Sequence, residues 1–210
     1  MVKDNNQASA GIVLCGGRSS RMGQPKHQLR LGSQTVLERI IETVGAVTGQ
    51  VFVVGSPSQD LPSLPDGTRW IRDEEAHYGP LSGLRSGLRA VPGETAAVYL
   101  TGCDTPLLKP AVVTRIMSAL TEDVDVAVVR QQGFLHPLAA VYRVSLLPQV
   151  ERFLDQGELR PRRLIEASRF RVIDAESLRD IDADLESLRN MNTQEEYDSI
   201  REIVKHRENR

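Results

Sequence analysis

The sequence predicts one three-layer α/β domain: a mainly parallel, twisted sheet with helices on both faces and a short antiparallel addition. Three observations predict it. Short runs of branched apolar residues recur along the chain, beginning with Ala10-Gly-Ile-Val-Leu-Cys15. These runs are continuous rather than alternating with polar residues, the pattern of strands covered on both faces. Between them lie stretches with apolar residues at helical spacing, of which Val36, Leu37, Ile40, Ile41 and Val44 form the first. Strands that alternate with helices build a parallel sheet.

Each element follows from local pattern. The first strand covers residues 10–15, and a polar, glycine-containing loop follows it to Lys26. Ser33 offers an N-cap for the first helix. Further strands are predicted at 51–54 and 68–71, joined by a loop with three prolines between Ser56 and Gly67. Residues 81–91 read as a helix despite two internal glycines, and 96–100 as a buried strand ending at Thr101-Gly-Cys-Asp104. Pro110 suits the first position of a helix reaching Leu120. A strand at 124–129, a turn at Gln131-Gln-Gly133 and an extended segment at 134–142 suggest an antiparallel return. The rest is predicted to be helical apart from a strand at 170–173. It ends in an amphipathic helix over 194–210 with Tyr197, Ile200 and Val204 on its apolar stripe. Residues 1–210 form one domain in this reading, with 1–9 disordered.

Composition narrows the function. The chain has 210 residues and a formal net charge of -2, which argues against a nucleic-acid or anionic-membrane partner. Cys15 and Cys103 lack zinc spacing and make no disulfide framework. They read as small buried apolar side chains in a reducing, cytoplasmic protein. The N-terminal ten residues are polar, unlike a signal peptide, and no apolar run is long enough to span a membrane.

The strongest signal is the loop after the first strand, Leu14-Cys-Gly-Gly-Arg-Ser-Ser-Arg-Met-Gly-Gln-Pro-Lys26. In open α/β sheets ligands bind beyond the carboxyl ends of the strands. Gly16 and Gly17 permit close backbone approach to a phosphate, and their N–H groups can form an anion-binding concavity. Arg18, Arg21 and Lys26 add three cations with no acidic residue among them. The P-loop fails because Gly23 is followed by Gln24 and Pro25, and the glycine spacing does not fit a dinucleotide fingerprint. A phosphate loop of another kind remains, beside the plainer alternative of a surface turn.

That loop resembles the signature of the molybdenum cofactor guanylyltransferase family of nucleotidyltransferases, approximately L-x-G-G-x-S-x-R-M-G-x-x-K, with every fixed position matched. Further matching segments run to Asn190-Met-Asn-Thr193 and cover nearly the whole chain. The resemblance implies a Rossmann-like fold of the nucleotide-diphospho-sugar transferase type. It implies transfer of GMP from GTP to Mo-molybdopterin with release of pyrophosphate, and transient contact with molybdoenzyme apoproteins and cofactor-insertion proteins.

Residue by residue, it implies nucleotide contacts at Leu14, Cys15, Gly16, Gly17, Lys26, Gly55, Asp73, Gly79 and Asp104. Catalytic roles fall to Arg21, Lys26 and Asp104, with Asp104 holding Mg²⁺. Acceptor contacts fall to His136, Arg162, Asn190 and Asn192. Each has a plainer reading: Asp104 as a turn cap, His136 as a core residue, Arg162 as a solvated helix residue, and Asn192 or Thr193 as the cap of the last helix with Glu196. The sequence departs from the family at Pro25, where many members carry Asp, and at Gly55, where relatives place Asn. Alternatives therefore stay open: cytidylyl transfer, another phosphorylated acceptor, or a non-catalytic GTP-binding delivery protein.

Overall fold

A computed structural model describes residues 9–16, 25–56, 59, 64–73 and 79–208. Gly17, Arg18 and Arg21 of the predicted phosphate loop lie outside the described residues. In chain order the elements are β1 (Ser9–Leu14), β2 (Arg30–Leu31), β3 (Gln34–Thr35), α1 (Val36–Thr48), β4 (Gln50–Gly55), β5 (Thr68–Arg72), α2 (Gly79–Ala90) and β6 (Ala97–Gly102). They continue with α3 (Pro110–Ser118), β7 (Val126–Gln131), β8 (Phe134–Arg143), α4 (Leu147–Asp155), α5 (Pro161–Glu166), β9 (Phe170–Asp174) and α6 (Gln194–Glu208).

Among the described residues, seven strands form one sheet in the order β5-β4-β1-β6-β8-β7-β9. Every pairing along β5-β4-β1-β6 is parallel, and β8 runs antiparallel to both β6 and β7. The predicted antiparallel return is therefore real, inserted between two strands of the parallel set. The carboxyl ends of β1, β4, β5, β6 and β7 consequently share one edge of the sheet, which β8 joins at its start.

Side-chain alternation along the strands feeds two cores. Val13, Val53, Tyr99 and Val129 pack with α1, α3 and α6 on one face. Ile12, Phe52, Val98 and Val128 pack with α2, α4 and α5 on the other. The two glycines inside α2 have a packing reason. A Cβ on Gly83 would lie 2.8 Å from Leu14 Cδ2, and one on Gly87 would lie 2.5 Å from Ile12 Cδ1. Their helix-propensity cost, about 1 kcal/mol each, is offset by the close seating of α2 on β1.

Several predicted boundaries change. Ser9, expected to be disordered, begins β1. Ser33 does not cap α1; it sits in the turn of the β2–β3 hairpin, where Gly32 has φ +64°. Thr35 is the cap: its Oγ1 accepts from Glu38 N at 3.2 Å while its own N–H donates to Glu38 Oε2 at 2.6 Å. Two residues of β-structure moved the cap because Gly32 supplies the left-handed turn that closes the hairpin. α2 starts at Gly79, two residues before the predicted position.

Candidate active site

Most of the predicted site residues that are described collect along the carboxyl edge of the sheet. Past the last residue of each strand the ladder continues for one bond: Cys15 N donates to Val54 O at 2.7 Å, Cys103 N to Leu14 O at 3.0 Å, and Asp73 N to Gly55 O at 2.8 Å. Leu14, Cys15, Gly55, Asp73 and Asp104 are thus held at or just beyond strand ends. Gly16 is exposed, with open space where a Cβ would point.

Asp104 lies two residues past β6. Burial pushes its carboxyl above the usual carboxylate range, and the nearby Lys26 ammonium pulls it back. Its Oδ1 folds over Gly102, so that a Cβ there would be 2.7 Å away. Lys26 opens a 3₁₀ turn ending at Gln28, and its Nζ donates to Asn192 Oδ1 at 2.7 Å. The C-terminal segment reaches the same place a second time, where Met191 N donates to Asp104 O at 2.7 Å. Lys26, Asp104 and Asn192 are therefore one cluster.

His136 and Asn190 line a cleft of about 190 Å³ on the other side of Asp104, together with Thr101 and Thr105. An irregularity in β8 makes this wall: Val128 pairs with Ala140, but Val129 pairs with His136. Pro137, which has no N–H to give a ladder, falls in the extra loop, and Tyr142 Oη donates to its carbonyl at 2.9 Å. Burial holds the His136 imidazole below its ordinary pKa, disfavouring its protonated form. A larger groove of about 510 Å³ opens at the opposite edge of the sheet, but Glu38, Glu42 and Asp66 line it, the wrong charge for a phosphate.

Other predicted residues stand differently. Arg162 does not line the cleft; it is exposed on α5 and donates Nε to Glu166 Oε1 at 2.7 Å, one turn along its own helix. The plainer helical reading of the Arg160–Arg163 stretch describes its local contacts. Gly55 is pressed by Trp70, whose Cη2 lies 2.2 Å from where a Cβ would be, so close packing already demands glycine there. Gly79 has φ +74° and starts α2 against Leu159 O. The Cys15 thiol is buried beside Cys103, which pushes its pKa far up.

The profile of the MobA-like NTP transferase domain matches residues 11–172. The chain belongs to the MobA-like NTP transferases. It is 33% identical over 199 residues to the molybdenum cofactor guanylyltransferase of Desulfosudis oleivorans, covering 94% of this chain and 96% of that one. Its fold is that of the molybdopterin-guanine dinucleotide biosynthesis protein A of Archaeoglobus fulgidus, with a TM-score of 0.80, 23% identity, and coverage of 94% and 99% of the two chains. The same fold recurs in the 2-C-methyl-D-erythritol 4-phosphate cytidylyltransferase of Thermus thermophilus, with a TM-score of 0.66, 14% identity, and coverage of 93% and 98%. The enzyme class is thereby set as nucleotidyltransferase.

For this nucleotidyltransferase, the sequence reading missed several residues around the cluster. His27 is buried and meets Gln59, whose amide lies 2.9 Å from His27 Nδ1 and donates to Cys15 Sγ at 3.5 Å. Ser82 and Ser86 bond Asp73 from α2. A buried histidine directly after Lys26 was the one available signal in the sequence. The serines had none, because their partner lies on another element.

Proposed function

We propose that this nucleotidyltransferase transfers the guanylyl group of GTP to the terminal phosphate of Mo-molybdopterin, releasing pyrophosphate. The observation that carries the proposal is the cluster of Lys26, Asp104 and Asn192 beyond β1 and β6, a cation and a carboxylate where an open α/β sheet binds ligands. The guanylyl group and the acceptor come from the names of the relatives, since cytidylyl-transferring enzymes share the fold.

In this reading Lys26 binds phosphate oxygens and stabilises the charge that develops as the bond between the α-phosphorus and the bridging oxygen breaks. Arg21 belongs to the same reading but lies outside the described residues. An acceptor phosphate oxygen attacks in line, and being ionised near neutral pH it needs no strong general base. Catalysis is positioning plus charge stabilisation. Leu14, Cys15, Gly16, Gly17, Gly55, Asp73 and Gly79 frame the nucleotide. His136 and Asn190 face the acceptor at the cleft that Asp104 lines; the family resemblance adds Arg162, which lies outside that cleft.

Asp104 suits a divalent cation: it is a hard oxygen donor whose burial favours a neutralising partner. Among the described residues no three His, Cys, Asp or Glu side chains gather into a metal cage. A single carboxylate matches an ion held mainly by substrate phosphates. Mg²⁺ bound there supplies charge neutralisation on the phosphates. Asp104 orients and retains it, and Lys26 supplies the second positive charge.

The test is calorimetric titration of GTP, CTP and ATP with Mg²⁺, followed by pyrophosphate release with the pterin acceptor. Preference for GTP with acceptor-dependent release supports the proposal. Preference for CTP, or GTP binding without release, overturns it.

A further inference from the structure

Asp73 stands at the first position beyond β5, and its carboxylate is gripped from α2. Ser82 Oγ and Ser86 Oγ each donate to Asp73 Oδ1 at 2.9 Å. Ser82 is fully buried and Ser86 is 7% exposed. The two serines are one helical turn apart and so share a face. A buried serine inside a helix commonly turns its hydroxyl to the carbonyl one turn back. Here both hydroxyls leave the helix for the same oxygen. With its backbone N–H fixed on Gly55 O and Oδ1 taking two protons, the carboxylate has one orientation. Among the described residues no group donates to Oδ2.

We infer that Ser82 and Ser86 are positioning residues that aim Asp73 at the nucleobase and thereby set the base preference. The inference rests on the reading above that Asp73 contacts the nucleotide. Phosphates lying over β1 and β6 at Lys26 and Asp104 leave the base to extend over the neighbouring β4 and β5, where Asp73 stands. A carboxylate only accepts hydrogen bonds. It therefore selects a base edge on which N–H donors are adjacent. Guanine presents a ring N–H beside an exocyclic amine. Cytosine and adenine present an exocyclic amine beside a ring nitrogen acceptor, whose lone pair a carboxylate repels. Such selection depends on orientation, because a carboxylate free to turn can offer one oxygen to the amine of cytosine or adenine and swing the other away from the ring nitrogen.

The test compares wild type, the Ser82→Ala/Ser86→Ala double variant and Asp73→Asn. Calorimetry with Mg²⁺ measures binding of GTP, CTP and pyrophosphate, the last having no base. The double variant is expected to lose about tenfold in GTP affinity, the scale of one misplaced charged hydrogen bond. Its affinities for CTP and pyrophosphate stay within about twofold. Equal weakening of all three probes means the serines merely support α2, and an unchanged GTP affinity means they do not act on Asp73; either result overturns the inference. If Asp73→Asn leaves GTP affinity unchanged, Asp73 is no base contact, and the assignment beneath the inference fails with it. Should the double variant not fold, Ser86→Ala alone, at the less enclosed position, carries the same comparison.

Discussion

The Lys26 ammonium donates to Asn192 Oδ1 at 2.7 Å across 166 residues of sequence. Asn192 is itself held, because Glu196 Oε2 accepts its N–H at 2.6 Å and that of Thr193 at 2.9 Å. Thr193 Oγ1 in turn accepts from Glu196 N at 3.2 Å, which completes a capping box on α6. Tyr197 Oη donates to Arg30 O at 2.7 Å, one turn further along the same helix. The first turn of α6 therefore grips the segment from Lys26 to Arg30 at both ends. A helix remote in sequence thus helps to hold Lys26 at the end of the loop that follows β1.

Removing either partner should expose this dependence. Lys26→Ala is expected to lower turnover by roughly two orders of magnitude or more, the scale of losing one charge-stabilising donor. Asn192→Ala should cost about tenfold, and the double variant should be little worse than Lys26→Ala alone. Pyrophosphate release by the four proteins measures it. Independent, multiplying losses would show that Asn192 acts elsewhere.

Gly102→Ala should separate folding from catalysis. The added methyl would meet Asp104 Oδ1 at 2.7 Å and Leu138 Cδ1 at 3.3 Å. The carboxylate is the part that can move, so it swings away from its place beside Lys26. The expected result is a Tm within a few degrees of wild type and a turnover reduced about a hundredfold. Equal turnover would mean that the orientation of Asp104 is unimportant.

Asp182 ties the start of α3, at Lys109, to the chain at Ser187 and makes stability pH-dependent. Its side chain is 1% exposed and accepts from Lys109 Nζ at 2.6 Å and Ser187 N at 2.8 Å. Burial alone would raise its pKa, but the bonds from Lys109 and Ser187 outweigh it and hold the carboxyl below the usual range. The folded value is depressed, so this stabilisation is present above the ordinary carboxylate pKa of about 3.9. It is lost as pH falls through the lower, folded value. Asp182→Asn should cost about 1–3 kcal/mol at pH 7, moderated because Lys109 also reaches Glu186 at 3.3 Å. In denaturant melts of both proteins from pH 7 downward, the gap should narrow once the pH falls below the ordinary carboxylate value; a constant gap would contradict the assignment.

The two thiols should be inert in the native protein. Cys15 and Cys103 are both buried, and their contact together with burial pushes Cys15 far above the ordinary thiol range. Thiolate is the reactive form. A chromogenic thiol reagent should report almost nothing at pH 8 until denaturant is added, and then two equivalents. Rapid native reaction would mean that the region opens readily.

The alternation of strands and helices was legible because each strand is a continuous apolar run and each main helix has one stripe, as in Val36 to Val44. The antiparallel place of β8 was legible from Gln131-Gln-Gly133, where Gln132 at φ +50° and Gly133 at φ +81° make the turn. The break in its ladder was not, although Pro137 hinted at one. Ser33 and Thr35 both have capping chemistry, and only the hairpin before α1 decides between them. In the site, Lys26 and Asp104 follow the ends of apolar strands, and the family resemblance singled them out there. The partners of Asp73, and the meeting of Lys26 with Asn192, join residues far apart in the chain. No local pattern encodes such a meeting. Arg162 shows the converse, a basic residue whose local partner, Glu166, is four positions away and was ready to take it.

The bond from Met191 N–H to Asp104 O has a consequence for the order of events during synthesis. A ribosome adds on the order of ten residues per second. The stretch from Lys26 to Asn192 therefore takes roughly ten seconds or more to emerge, and through that interval the growing chain carries its cation and its carboxylate without the segment that aligns them. Fragments that stop short of Met191 contain every strand of the sheet yet lack the closing brace. A premature product therefore carries Lys26 and Asp104 without the two contacts, to Asn192 Oδ1 and from Met191 N–H, that hold them in the longer chain.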